Sequence, residues 1–267
     1  MAIKRAILLI ADIGGYTRFM RVHSINLAHA HDIITRLLEA VIDGAGSAFK
    51  LAKLEGDAAF FHAPLRDAPA PGELEHVLDT VHAIRNAFIE QRDRMNIDRL
   101  CTCDGCTQIG ELKIKFVANV GEIAYHKVKG RMELAGVPVI VLHRLLKNSV
   151  PIAEYALMTG PILDGAKSEL RKTAQQIEED LEGLGASTVY YVDLVKTAPP
   201  VPPPAPAGYL TRLWRHILFN IRSFPYMIGL RQACDGFRNM DEALGRPALG
   251  PAKPDASADG KNELPSP

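Results

Sequence analysis

The chain has 267 residues, 47% of them hydrophobic, and 31 basic side chains balance 31 acidic ones. That is enough apolar material for one large domain with an appendage, and zero net charge argues against a nucleic-acid partner. No run of about 18 uncharged apolar residues is present, and the opening MAIKRAILLIAD reaches an aspartate too soon for a signal peptide. Four cysteines, three of them between 101 and 106, do not form a disulfide framework, so a cytoplasmic protein is expected.

In chain order, residues 7–13 are a nearly continuous apolar run, as a strand buried on both faces requires. Residues 25–42 place Ile33, Ile34, Leu37, Leu38, Val41 and Ile42 at helical spacing, with Ser24 as cap and Gly44 as stop. Residues 49–53 and 58–62 read as a hairpin turning at Gly56-Asp57, residues 64–72 as a loop, and residues 74–95 as an amphipathic helix. A strand region follows at 112–125, bent into a hairpin around Gly121. Residues 137–146 are ambiguous by pattern. Strands at 155–159 and 188–194, with a polar helix at 162–184 between them, complete the pattern. This order predicts an α+β fold in which helices pack on a mainly antiparallel sheet.

The stretch APPVPPPAPA (198–207) is a stiff linker, which divides the chain into a domain at 1–197, the linker, a helical segment at 208–244 and a disordered tail at 245–267. In the helical segment, residues 209–221 repeat apolar side chains at helical spacing, and Pro225 is expected to break that helix. The apolar face and arginines of this segment suit packing on the domain or on a second chain. A weak contact with an anionic membrane surface is the alternative.

The chemistry gathers at two apolar runs that each deliver one aspartate to a glycine-rich strand end or turn: Asp12 in ILLIADIGGYTRFM and Asp57 in KLEGDAAFF. Two such carboxylates on neighbouring strands would hold divalent cations against a polyphosphate, because Mg²⁺ takes a few hard oxygen ligands and leaves positions for phosphate oxygens. The local alternative is a helix cap for Asp12 and a turn residue for Asp57.

The segments ADIGGYT (11–17) and KLEGDA (53–58) resemble two signature segments of class III nucleotidyl cyclases, and GVPVIVLHRL (136–145) sits where that family has a third. The third is degenerate. The resemblance spans residues 7–194 and implies a ferredoxin-like core, with residues 137–146 as a helix. It also implies a two-metal (Mg²⁺ or Mn²⁺) reaction of ATP to cyclic AMP and pyrophosphate at a head-to-tail homodimer interface. By the same resemblance, Asp12, Asp57 and the backbone of Ile13 hold the metals, Lys53 and Glu133 read the base, and Arg144 stabilises the transition state. Ile140 stands where the family carries a ribose-orienting asparagine and Val137 where it carries an aspartate, with Asn148 a candidate to replace the missing amide.

Cys101, Cys103 and Cys106 form a C-x-C-x-x-C cluster. It suits Zn²⁺ if a histidine such as His62, His76, His82 or His126, or a water, closes the tetrahedron, and it otherwise reads as thiols in a loop. Together with HRLLKN (143–148), it resembles an uncharacterised bacterial branch of cyclase-related domains. His143 itself reads as a half-buried structural residue. The expectation is a slow or divergent adenylyl cyclase. Beside it stand an inactive nucleotide- and metal-binding regulatory module and a zinc-stabilised interaction domain.

Overall fold

The long first strand, β1 (Ala2–Gly14), organises the molecule, pairing antiparallel with β3 (Ala58–Pro64) on one side and β4 (Lys113–Val128) on the other. The computed structural model describes residues 2–22, 27–66, 74, 76–101 and 104–227. Among these, eight strands make one sheet in the order β2 (Lys50–Glu55), β3, β1, β4, β6 (Tyr155–Thr159), β8 (Gly185–Asp193) and β7 (Gln175–Leu181). The eighth strand, β5 (Arg131–Ala135), pairs with β4 off this path. Only the β4–β6 pair is parallel; the other ladders are antiparallel.

Alternate residues of β1 enter two different cores, because successive side chains of a strand point to opposite faces. Ile7, Leu9, Ala11 and Ile13 join the core covered by α2 (Leu27–Ala45) and α3 (His76–Asp98). Ala6, Leu8 and Ile10 join a smaller core covered by α5 (Val137–Arg144), through Val139, Leu142 and, just beyond the helix, Leu145. The helices α2 and α3 therefore close one face fully, while α5 closes the other only in part.

Several expectations are met by the described residues: the α+β architecture, the hairpin turning at Gly56-Asp57, the strand at 155–159 and the helix starting at Val137. Others are corrected. The sheet's expected bend at Gly121 is absent, since β4 runs on to Val128 and turns into β5 at Lys129 and Gly130. Gly121 instead admits Pro138 at the start of α5, whose Cγ would lie 2.4 Å from a Cβ at that position. The polar helix expected at 162–184 is two short helices, α6 (Gly160–Asp164) and α7 (Ser168–Thr173), followed by strand β7. Its run of Glu178, Glu179 and Asp180 reads as a solvated helix face, but it belongs to a sheet edge, where charge discourages pairing with other strands.

A short helix not anticipated from the sequence, α1 (Tyr16–Val22), follows β1. Gly15, at φ +86°, provides the left-handed turn between them. Around the cysteines the chain forms α4 (Asp104–Thr107), and α8 (Leu194–Thr197) follows β8. The last described helix, α9 (Tyr209–Met227), passes through Pro225 rather than breaking there. In the final turn a proline removes only one ladder bond, the one to the Ile221 carbonyl. The expected cap Ser24, most of the 64–72 loop, Cys103, and the segment and tail beyond residue 227 lie outside the described residues.

Candidate functional site

Asp12 continues the parity of Leu8 and Ile10, so its carboxylate emerges on the α5 face where that core stops. Its register partners there are Ala58, which follows Asp57, and Lys115. The Ile13 amide donates to the Asp57 carbonyl at 3.3 Å, which ties the hairpin turn to the end of β1. The two carboxylates are close enough to interact directly. Burial, then the charge of Asp12, push the Asp57 carboxyl up to about 6, aided by a hydrogen bond with Asp12 and opposed by its own backbone amide and by Lys115. Tyr16, at the start of α1, also senses Asp57: burial and that negative charge raise its hydroxyl.

Sequence reasoning missed Lys115, whose Nζ lies 3.1 Å from Asp12 Oδ2 and 3.4 Å from the Leu146 carbonyl. The signal was available in KIKF, because Lys115 alternates with Ile114 and Phe116 of the helix-covered core and so belongs on the other face with Val117. The three groups leave a local excess of negative charge, two carboxylates against one ammonium. Asp12, Asp57 and backbone oxygens nearby are hard ligands of the kind a divalent cation takes. The elevated carboxyl fits such a site, since it is what an anionic pair shows without a compensating ion.

The other sequence-predicted residues fall into separate groups. Lys53 Nζ pairs with Glu55 Oε1 at 2.7 Å and lies over the Phe60 ring, while Glu55 Oε2 lies 3.4 Å from His143 Nδ1. His143 is half-buried edge-on to Phe60. Arg144 pairs with Glu182 in the turn between β7 and β8. Glu133, half-buried on β5, stands opposite His126. Asn148 is held locally: its amide donates to the Leu145 carbonyl at 2.7 Å, and its oxygen accepts from Tyr155 Oη at 2.9 Å and the Val150 amide at 3.2 Å. Ile140 and Val137 are exposed on α5, so neither apolar side chain is explained by the core of this chain.

Asn119 is a second residue that the sequence did not flag. Buried, it donates to the Pro138 carbonyl and accepts from Thr159 Oγ1, locking the start of α5 onto β4 and β6. At the cysteine cluster, Cys106 is buried and Cys101 half-buried against the helix-side core, and Cys103 is outside the described residues. Among the described residues no group of three or more His, Cys, Asp or Glu side chains could hold a metal ion. No described helix is long and apolar enough to cross a membrane.

A family profile described as "Protein of unknown function (DUF2652)" matches residues 34–155. The "Uncharacterized protein Rv2561/Rv2562" of Mycobacterium tuberculosis is 41% identical over 208 residues, which cover 78% of this chain and 94% of that protein. Among solved structures, the adenylyl cyclase CyaB from P. aeruginosa superposes with a TM-score of 0.54 at 16% identity, over 72% of this chain and 95% of that one. The guanylate cyclase domain of RhGC from Catenaria anguillulae, determined in complex with GTP, superposes with a TM-score of 0.51 at 14% identity, over 72% and 98%. These likenesses are to the fold, a mixed sheet under packed helices. Built on the fold of nucleotidyl cyclase domains, the chain belongs to the family of the M. tuberculosis protein Rv2561/Rv2562.

Proposed function

We propose that this protein binds a nucleoside triphosphate, ATP by preference, with divalent cations at Asp12 and Asp57, and cyclises it slowly at a homodimer interface. The observation that carries this reading is the paired carboxylates, with Asp57 raised to about 6, at a strand end of a cyclase fold. Mg²⁺ or Mn²⁺ held by Asp12, Asp57 and the Ile13 carbonyl would activate the ribose hydroxyl and neutralise the triphosphate. In cyclisation the 3′-oxygen bonds to the α-phosphorus as the bond to pyrophosphate breaks, and the hydroxyl proton leaves to solvent.

This chain's own groups have definable tasks in that reaction. Lys115, beside Asp12, offers a fixed cation for phosphate oxygens. Lys53, on exchanging Glu55 for the substrate, can donate to a base nitrogen acceptor, and Glu133 can accept from an exocyclic amine. Arg144 can likewise leave exposed Glu182 to meet negative charge building at phosphorus. Within one chain Lys115, Lys53 and Arg144 sit in three separate ion pairs and Glu133 stands apart on β5, so a second copy would bring the missing half. The exposed Leu51, Leu54, Val137 and Ile140 offer apolar area for it.

A second reading, a nucleotide-binding regulatory module without turnover, is favoured specifically by Ile140. The apolar, exposed side chain gives no amide to orient a ribose, and Asn148 is engaged in its own loop. Incubation with each ribonucleoside triphosphate and Mn²⁺, followed by mass spectrometry of the products, separates the two. Slow cyclic AMP formation supports the first, while bound, unchanged nucleotide supports the second. Restoring the amide with Ile140→Asn should speed a slow cyclase by about 10²-fold, the size of one lost oriented hydrogen bond. No binding of any triphosphate would remove both readings.

A further inference from the structure

Helix α9 is fastened to the domain at the end of α3, where the Asp98 side chain, 8% exposed, acts as a clamp. Its Oδ1 accepts from the Ala207 amide and its Oδ2 from Arg215 Nη1, both at 2.8 Å. Arg212 Nε donates to the Asp98 carbonyl at 3.3 Å, and Arg212 Nη2 to the Arg99 carbonyl at 3.5 Å. Between this clamp, α2 and the segment that follows α3 lies a cavity of about 270 Å³. At ~30 Å³ per water that is space for about nine waters, or for a ligand of roughly ten non-hydrogen atoms.

The wall of this cavity is unbalanced in charge. Arg36, Arg94, Arg99, Arg212 and Arg215 line it against two carboxylates, Asp32 and Asp98. Asp32 matches Arg36 at 3.0 Å, Asp98 matches Arg215, and Glu90 matches Arg94 at 2.5 Å. Arg99 and Arg212, both half-buried, meet no carboxylate among the described residues. Arg99 Nε donates to the Asn96 carbonyl at 3.2 Å, and Arg212 donates to the two carbonyls given above. Carbonyls carry no net charge, and a guanidinium has five N–H donors, so two cations remain with donors to spare. The forked guanidinium fits the paired oxygens of a carboxylate or a phosphate. Beside these cations the wall is apolar, with Ile33, Met95, Leu100 and Ile109 next to the thiols of Cys101 and Cys106. We infer that the cavity binds a small amphipathic anion, its carboxylate or phosphate head held by Arg99 and Arg212 and its short apolar body against Ile33 and Met95. Such a ligand bridges the end of α3 to α9. The cavity lies on the helix-covered side of the sheet and the Asp12–Asp57 pair on the other, so this inference is independent of the proposed nucleotide chemistry.

Cys101, half-buried in the cavity wall, reports occupancy at the site itself. The full chain is alkylated with iodoacetamide, a neutral reagent, in the presence of octanoate, octyl phosphate or 1-octanol, and modification of Cys101 is followed by peptide mass spectrometry. Octanoate or octyl phosphate should slow the reaction saturably, by about tenfold at ligand about ten times its Kd, and 1-octanol should not. Protection by either anion supports the inference, and the tighter of the two identifies the head. Arg212→Gln should weaken binding by about tenfold or more, and Arg212→Lys, which keeps the charge without the fork, by less. Arg99→Gln, which leaves the Asp98 clamp on α9 intact, should weaken it likewise. Equal protection by 1-octanol would overturn the inference, showing an apolar hollow with no use for its arginines. The absence of protection by either anion would also overturn it and leave Arg99 and Arg212 as caps on the carbonyls at the end of α3. Undiminished protection in both glutamine variants would place the anion elsewhere.

Discussion

Two charged clusters sit on opposite faces of the same sheet, and they are compensated in opposite ways. On the helix-covered side the carboxylate of Glu154 accepts from Arg85 Nε and Nη2 at 3.2 and 2.9 Å, both side chains less than 10% exposed. Arg92 and Lys113 add positive charge within 4 Å of the same carboxylate. On the α5 side two carboxylates, Asp12 and Asp57, share a single Lys115, and one of them is pushed toward protonation. A buried carboxylate with cations to spare is a structural joint, here between α3 and the start of β6. A pair of carboxylates short of cations is a site that gains by taking one up. The difference lies in charge balance, since both clusters join carboxylates to cationic side chains and differ in which sign is in excess.

The comparison can be broken at either cluster. The largest effect on stability is expected from Glu154→Gln, which leaves Arg85 buried without its counter-charge. Urea denaturation should show a loss of about 3–5 kcal/mol, with nucleotide binding retained by the folded fraction. A loss below about 1 kcal/mol would mean the joint is solvated and not structural.

Asp57→Asn should act with the opposite sign. Its folded pKa of about 6 lies above the ordinary 3.8. The folded chain therefore binds the extra proton between those values, and this contribution to stability is present below about 4 and lost as pH rises through 6. Removing the ionised group should stabilise the protein at pH 7 by about 1 kcal/mol, a figure reduced from the full shift because solvent reaches the site. At pH 4 the variant and the parent should melt alike. A variant destabilised at pH 7 would show that Asp57 is a satisfied turn residue.

Lys115→Met should change stability least, by about 0.5 kcal/mol, because the Asp12–Lys115 pair is partly exposed. It sharpens the comparison by function: with less positive charge beside the pair, Mn²⁺ should bind more tightly and a triphosphate more weakly. Parallel weakening of both would point to general damage at the site.

Much of this contrast is written in alternation. The apolar run at 7–13 and the glycine turn at Gly56-Asp57 fix where the two aspartates emerge, and register then places them together. Lys115 escaped notice because a lysine in a strand reads as solvated unless the strand's two faces are assigned to two cores. The Arg85–Glu154 joint was invisible for a different reason. Its members lie 69 positions apart, and nothing local marks an arginine as buried. The 162–184 region misled because acidic edge strands and solvated helices share a composition, and only pairing with β8 distinguishes them. Tyr209 onward was legible as an amphipathic helix, but which side faces the domain depended on a clamp at Asp98 that no periodicity encodes.

The central claim is that Asp12 and Asp57 form a cation-dependent site for a triphosphate. Calorimetric titration of ATP into the protein with Mn²⁺ and with EDTA, repeated on Asp57→Ala, tests it most directly. The account predicts binding with Mn²⁺, its loss in EDTA, and an affinity lowered by about tenfold or more in the variant, a difference of about 1.4 kcal/mol or more. Equal ATP affinity with and without the metal, or an Asp57→Ala protein that binds as the parent does, would contradict it.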